Sequence, residues 1–287
     1  MNIKNLLIVL SLIILIYIAV LTLNQPKIYS NTPFSKKIDT NKITEITITN
    51  LTHEVSLSKK EKIWLMTKPY HYKADNQEIE SLIEKISKAK LYGPLTDKKT
   101  EYYRFEIYPD SSTLVTLKSN KTLSLLIGKA TQDYNGTFIK FKESDEIYEL
   151  KGIYPFDFKK NSQDLLYKNI VESDISEINS YEIIYNKSKI YDSKSGDKWL
   201  KENSQRIIEK LKEIRFNKIE KVEKEKEKIL AEITLKSQNN DERLSIYKKG
   251  KNYIIFKNDY ELTIEDSYSK KIESFIDELK KDISTKK

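Results

Sequence analysis

The sequence predicts an α+β protein: an N-terminal transmembrane helix followed by two similar modules of antiparallel β-sheet, each with a covering helix. Three observations predict it. An uncharged run of 18 residues lies near the start of the chain, at 6–23. A degenerate repeat, in which Trp64 and Trp199 stand 135 residues apart, occupies the rest. Within each copy, apolar residues alternate as in strands and switch once to helical spacing.

The first element is the run itself, LLIVLSLIILIYIAVLTL, broken only by Ser11, Tyr17 and Thr22. At 1.5 Å per residue a helix of this length covers roughly 27 Å, the hydrocarbon thickness of a thin bilayer. It has no polar face, as a core helix would have. Asn24, Gln25, Pro26 and Lys27 follow it without a small-x-small cleavage pattern, so an uncleaved signal-anchor fits better than a cleaved signal peptide. Lys4 precedes the run and the first acidic residue is Asp39, which favours a cytoplasmic N-terminus. The expectation is a single-pass protein of the cell (inner) membrane, in contact with the bilayer through 6–23 and with its bulk extracytoplasmic. The expected domains are the anchor (1–23), a polar spacer with Pro26 and Pro33 (24–42), a first α+β repeat (43–150), a connector (151–174) and a second repeat (175–281).

In the first copy Ile43, Ile46 and Ile48 alternate, and Val55 and Leu57 share a face, as in strands. Asp75 with Glu78 three residues on resembles a capping box. Ile79, Leu82, Ile83, Ile86 and Ala89 then predict a helix over about 76–89, ended by Gly93 and Pro94. Strands are expected near 104–108, 114–118, 123–127, 138–141 and 147–150. The second copy starts Ile175-Ser-Glu-Ile178 against Ile43-Thr-Glu-Ile46. Its helix, over about 204–214, carries Ile207, Ile208, Leu211 and Ile214. Ala231–Lys236 matches Leu114–Lys118, and Tyr253–Phe256 matches Phe138–Phe141. The run Lys221–Lys228 (KVEKEKEK) suits one long helix from 204 to about 233, but the repeat places a strand near 229–236. A last helix is expected over 268–281 on Ile272, Phe275, Ile276 and Leu279.

Charge and composition exclude several function classes. The chain has no cysteine, so it has no disulfide, thiolate metal site or thiol nucleophile. Two histidines, His53 and His71, leave little material for a histidine metal centre. The net charge of +8 comes from 47 Lys and 4 Arg with acidic residues interleaved, a solvated surface rather than a nucleic-acid-binding face. No nucleic-acid partner is expected.

Individual candidates read mainly as structure. Tyr70-His71-Tyr72 beside Asp75 could carry a proton, but an exposed loop with Asp75 as helix cap is the simpler reading. His53 belongs near a hairpin turn. Asp133-Tyr-Asn-Gly136 offers a carboxylate, an amide and open backbone, yet such clusters are usually turns, and a calcium loop needs more oxygens. Gly128-Lys-Ala-Thr131 lacks the earlier glycine of a P-loop. The 19 tyrosines suggest glycan stacking, but Tyr103, Tyr108, Tyr148, Tyr185 and Tyr253 fall where strands bury aromatics. No catalytic, cofactor-binding or metal-ligating residue is therefore assigned, and no cofactor is expected.

Trp64-x4-Pro69-x5-Asp75, Leu125-Leu-Ile-Gly128, Gly136-Thr-Phe-Ile-Lys140 and Asp164-Leu-Leu-Tyr-Lys-Asn-Ile170 leading to Asp174-Ile175 resemble the bacterial family called domain of unknown function 4340. The similarity extends over about 43–280. It implies a single N-terminal anchor and genes beside gliding-type ABC transporters, and it supplies no catalytic residue. The second copy departs from the pattern: it lacks the proline after Trp199 and the glycine matching Gly128. The expected function is a non-catalytic accessory or scaffolding subunit of an envelope ABC-transport complex. A binding module for a cell-envelope glycan or peptide is the alternative.

Overall fold

The alternating segments pair into two sheets, all of whose strand contacts are antiparallel. The computed structural model describes residues 10–17, 30–108, 110, 112–221, 229–238 and 241–284. The first sheet has ten strands: β1 (Ser30–Pro33), β2 (Glu45–Thr49), β3 (Glu54–Lys60), β4 (Ile63–Lys68), β5 (Tyr72–Lys73), β6 (Lys90–Thr96), β7 (Thr113–Lys118), β8 (Thr122–Ala130), β9 (Gly136–Phe141) and β10 (Ile147–Lys151). Their spatial order is β1-β6-β10-β9-β8-β7-β2-β3-β4-β5. The second sheet has eight: β11 (Ile178–Tyr185), β12 (Ser188–Ser195), β13 (Lys198–Trp199), β14 (Lys218–Lys221), β15 (Ile229–Ser237), β16 (Asp241–Lys249), β17 (Asn252–Lys257) and β18 (Tyr260–Ile264). Its order, read from β14, is β14-β18-β17-β16-β15-β11-β12-β13. Set against β6-β10-β9-β8-β7-β2-β3-β4, every strand has a counterpart in the same place.

The residues at 10–17 are helical (α1) with exposed side chains, from Leu10 to Tyr17. Among the described residues no helix is long and apolar enough to cross a membrane. The rest of the expected anchor, 1–9 and 18–23, lies outside the described residues.

Helix α2 (Asn76–Lys88) forms where expected. The Asp75 carboxylate accepts from the N–H groups of Gln77 and Glu78, satisfying two of the donors a helix start leaves open. Its buried face is Ile79, Leu82, Ile83 and Ile86. Four such side chains at about 1.5–3 kcal/mol each contribute a gross stabilisation of roughly 6–12 kcal/mol. Helix α3 (Ser204–Lys212) buries Ile207, Ile208 and Leu211. Helix α4 (Lys270–Ser284) packs against α3 and buries Ile272, Phe275, Ile276 and Leu279. One continuous apolar core runs through both halves, from Phe34 to Leu279.

Three expectations need correction. Residues 104–108 are not a strand: Lys99–Phe105 is a 3-10 helix stopped by Glu106 at φ 54°. This segment lies against the other side of the first sheet, where Tyr102 and Ile107 cover Leu126 and Ile147 in a second small core. It fits because Gly128 has no side chain; a Cβ there would stand 2.3 Å from the Phe105 carbonyl oxygen. From Ser30 on, the expected spacer is folded: β1 pairs with β6, and Phe34 and Ile38 are buried, being too apolar to remain in solvent.

The connector packs into the core, burying Phe158, Leu165, Leu166, Ile170 and Val171. The third correction is one of register. Taking the matching Leu117 and Leu235 as anchors, Leu117 pairs with Leu123 and Leu235 with Glu242. Leu125 then pairs with Phe141 and Leu244 with Lys257. Phe141 is thus the counterpart of Lys257, one residue beyond the expected match with Phe256. Strand β15 is present rather than a continued helix; residues 222–228 lie outside the described residues.

Candidate functional site

The register puts two charges where the first sheet has hydrocarbon. Tyr253, Ile255 and Lys257 share one face of β17, and Glu242, Leu244 and Ile246 share the matching face of β16. Because that face is the core face, Lys257 and Glu242 are buried, at 3% and 4% exposure. Their counterparts Phe141 and Leu123 pack against the core as ordinary apolar residues.

An ammonium and a carboxylate survive burial only if they are paired and hydrogen-bonded. Here the pairing is thorough. Lys257 Nζ donates to Glu242 Oε2 (2.7 Å), to Glu172 Oε1 (2.6 Å) and to the Ile170 carbonyl (3.0 Å). Glu242 also accepts from the backbone N–H groups of Glu172 (3.0 Å) and Ser173 (2.7 Å) and from the Ser173 hydroxyl (2.5 Å). Burial by itself would raise the Glu242 carboxyl, but the Lys257 charge and these hydrogen bonds outweigh it and hold the group below its ordinary value.

The other wall comes from the first half. Trp64 lies twelve residues before the first residue of α2, whereas Trp199 lies five before that of α3, so the first half has seven additional residues there. The longer segment crosses to the second sheet. Ala74 bridges to Leu166, and the His71 N–H donates to the Tyr260 hydroxyl at 2.7 Å. Tyr70 and Tyr72 set their rings edge-on to Tyr260, and Tyr72 also meets Phe216 edge-on at 5.8 Å. Lys73 Nζ donates to the Glu172 carbonyl (2.8 Å) and sits 4.7 Å from the Tyr167 ring centroid.

Between these walls lies a cleft of about 340 Å³ lined by Leu65, Met66, Thr67, His71, Tyr72, Lys73, Glu172, Asp241, Glu242, Lys257 and Asn258. Tyr72 is 4% exposed, and Lys257 Nζ stands 5.4 Å from its ring centroid. Its hydroxyl is one of two buried side-chain polar atoms without a hydrogen-bond partner among the described residues, the other being Gln163 Oε1. Burial, reinforced by the charges of Glu172 and Glu242, pushes the Tyr72 phenol well above its ordinary value, so it remains a neutral hydroxyl.

The structure separates the sequence candidates. His71 is an exposed residue at the rim of this cleft, while Asp75 is engaged at the start of α2. His53 lies in the β2–β3 turn, its ring nitrogens 2.9 Å from Asn50 Nδ2 and 3.0 Å from Thr52 Oγ1. Asp133 lies in the β8–β9 turn, held by the Thr131 hydroxyl, Lys151 and the Asn135 N–H, which lower its carboxyl to about 2. Gly128 and Lys129 are within β8. Tyr148, Tyr185 and Tyr253 are in strands, but Tyr103 and Tyr108 are exposed outside them. Among the described residues no group of three His, Cys, Asp or Glu is placed to hold a metal ion.

The sequence profile of the family described as Domain of unknown function (DUF4340) matches residues 64–232, more than half of the chain. The chain belongs to the DUF4340 family. No curated protein and no solved structure matches it. The DUF4340 match spans both halves, from Trp64 in β4 into β15. It takes in the docking segment and Glu172, and ends before Glu242 and Lys257.

Of the four groups that define this DUF4340 cleft, sequence reasoning reached Tyr72 only as part of the Tyr70-His71-Tyr72 loop and missed Glu172, Glu242 and Lys257. A usable signal existed for two of them. Glu242 and Lys257 each continue an alternating apolar pattern, so their charges stand at core positions.

Proposed function

We propose that this DUF4340 chain is a membrane-anchored extracytoplasmic contact protein, a non-catalytic accessory or scaffolding subunit of an envelope ABC-transport complex. The two halves are read as duplicated modules held together as one platform. The carrying observation is the state of the charged groups at the junction. Lys257 has three oxygen partners and Glu242 four donors, so both are committed to structure, while a shared core continues beneath them. Anchoring through 6–23 rests on the apolar run, and the transporter association on family resemblance.

The test is affinity capture of the tagged full-length chain from detergent-solubilised membranes. Permease and ATP-binding subunits of one transporter should copurify, and protease added to spheroplasts should digest the part after Leu23. Variants His53→Ala and His71→Ala should complement a deletion strain at normal protein level. A stable variant that abolishes function while retaining all partners would point to chemistry instead. The second reading, a module that binds an envelope peptide, is favoured by the open cleft beside Tyr72.

A further inference from the structure

We propose that the cleft between the two halves binds an aliphatic primary ammonium group, such as a lysine side chain of a peptide. This rests on the binding-module reading and is independent of the transporter association. Three carboxylates (Glu172, Asp241, Glu242) and two ammoniums (Lys73, Lys257) line the cleft. Both ammoniums are already used: Lys257 by three oxygens, Lys73 by the Glu172 carbonyl and the Tyr167 ring.

What remains open is on the acceptor side. Asp241 is exposed and has no side-chain partner among the described residues. Glu172 gives only Oε1 to Lys257. The second and independent sign is Tyr72, a lining residue whose hydroxyl is buried without a partner among the described residues. Leaving such a group unpaired is unfavourable, so a ligand that donates to it gains more than it would at a solvated site. Leu65, Met66 and the Tyr72 ring give an apolar wall suited to a methylene stem. A primary ammonium has three donors, no acceptor and such a stem. An anionic ligand would meet a surplus of carboxylates and no free cation.

The full-length chain in nonionic detergent should be titrated calorimetrically with Nα-acetyl-lysine amide, 1,5-diaminopentane and Nα,Nε-diacetyl-lysine amide. The first should bind and the doubly acetylated compound should not. Binding of the diamine but not the lysine derivative would assign the site to free amines rather than peptide, overturning the peptide source and keeping the ammonium. Asp241→Asn should weaken binding roughly tenfold, as loss of a charge-assisted hydrogen bond does. Tyr72→Phe should weaken it several-fold while the ligand-free thermal midpoint stays level or rises, because an unpaired hydroxyl is removed. Equal binding of the acetylated compound, no binding of any amine, or a fall in midpoint for Tyr72→Phe with unchanged affinity would each overturn the proposal. Copurification of transporter subunits is untouched by any of these outcomes.

Discussion

Replacing Lys257 with methionine keeps the stem and removes the charge that Glu242 and Glu172 share. Glu242, at 4% exposure, is then a buried carboxylate without its counter-ion. Breaking a buried pair from one side is expected to destabilise the fold by about 3–5 kcal/mol. Glu242→Leu should lose a similar amount, since it also strips partners from the N–H groups of Glu172 and Ser173. The double variant Glu242→Leu/Lys257→Met should not lose the sum. It restores an apolar pair of the kind found at Leu123 and Phe141. What it still loses are the partners of the Glu172 and Ser173 N–H groups, the Ser173 hydroxyl and the Ile170 carbonyl, which the single variants lose between them as well. The two sites are therefore coupled, by about 0.5–3 kcal/mol as residues in direct contact are. The assay is urea unfolding followed by tryptophan fluorescence, with Trp64 reporting on the first half and Trp199 on the second. Trp64→Phe and Trp199→Phe backgrounds separate the two signals. Losses that add to within about 0.5 kcal/mol would refute the reasoning, because independent sites behave that way.

Three further outcomes are expected. The Glu242 carboxyl is lower in the folded chain than unfolded, so its contribution is present above the unfolded value, about 4.5, and is lost as pH falls through the folded one. The midpoint of wild type should fall below pH 4.5 more steeply than that of Glu242→Gln, and parallel curves would count against it. Trp64 is fully buried and donates to Glu80 at 2.8 Å, whereas Trp199 is half-buried and donates to Gln205 at 3.0 Å. Trp64→Ala should lose about 3–5 kcal/mol in denaturant titration and Trp199→Ala clearly less; equal losses would contradict the burial difference. Asp75→Ala should lose about 1 kcal/mol through its cap, read the same way, and no change would mean that solvent serves α2 equally well.

Much of the fold was legible because local rules and tertiary structure agree. The stripes on α2 and α3 and the alternation of β2, β7, β15 and β18 each report which face meets the core. The segment 99–108 misled because Phe105 and Ile107 alternate like a strand, although the contact that shapes it is with Gly128, a residue distant in sequence. The cleft was illegible for a different reason. Lysine and glutamate are ordinarily solvated, so the alternation that sets Lys257 in line with Tyr253 and Ile255 decides little until strand register turns that face inward. Tyr72 looked like a loop residue because the surface that buries it, Phe216 and Tyr260, belongs to the other half.

The seven additional residues before α2 give the pair of halves a direction. An array of stacked units grows when every unit can both grip and be gripped, and a head-to-tail contact that does not close runs on into a filament. Here the gripping residues, Tyr70 to Ala74, exist in the first half alone. After Trp199 the chain turns straight into α3, and a third unit would find no clasp there. At the opposite end, β1 is four residues long and ends in Pro33, which has no N–H to offer an incoming strand. The clasp is thus spent once, inside the chain, and a further copy stacked on the second half would find nothing equivalent to grip it.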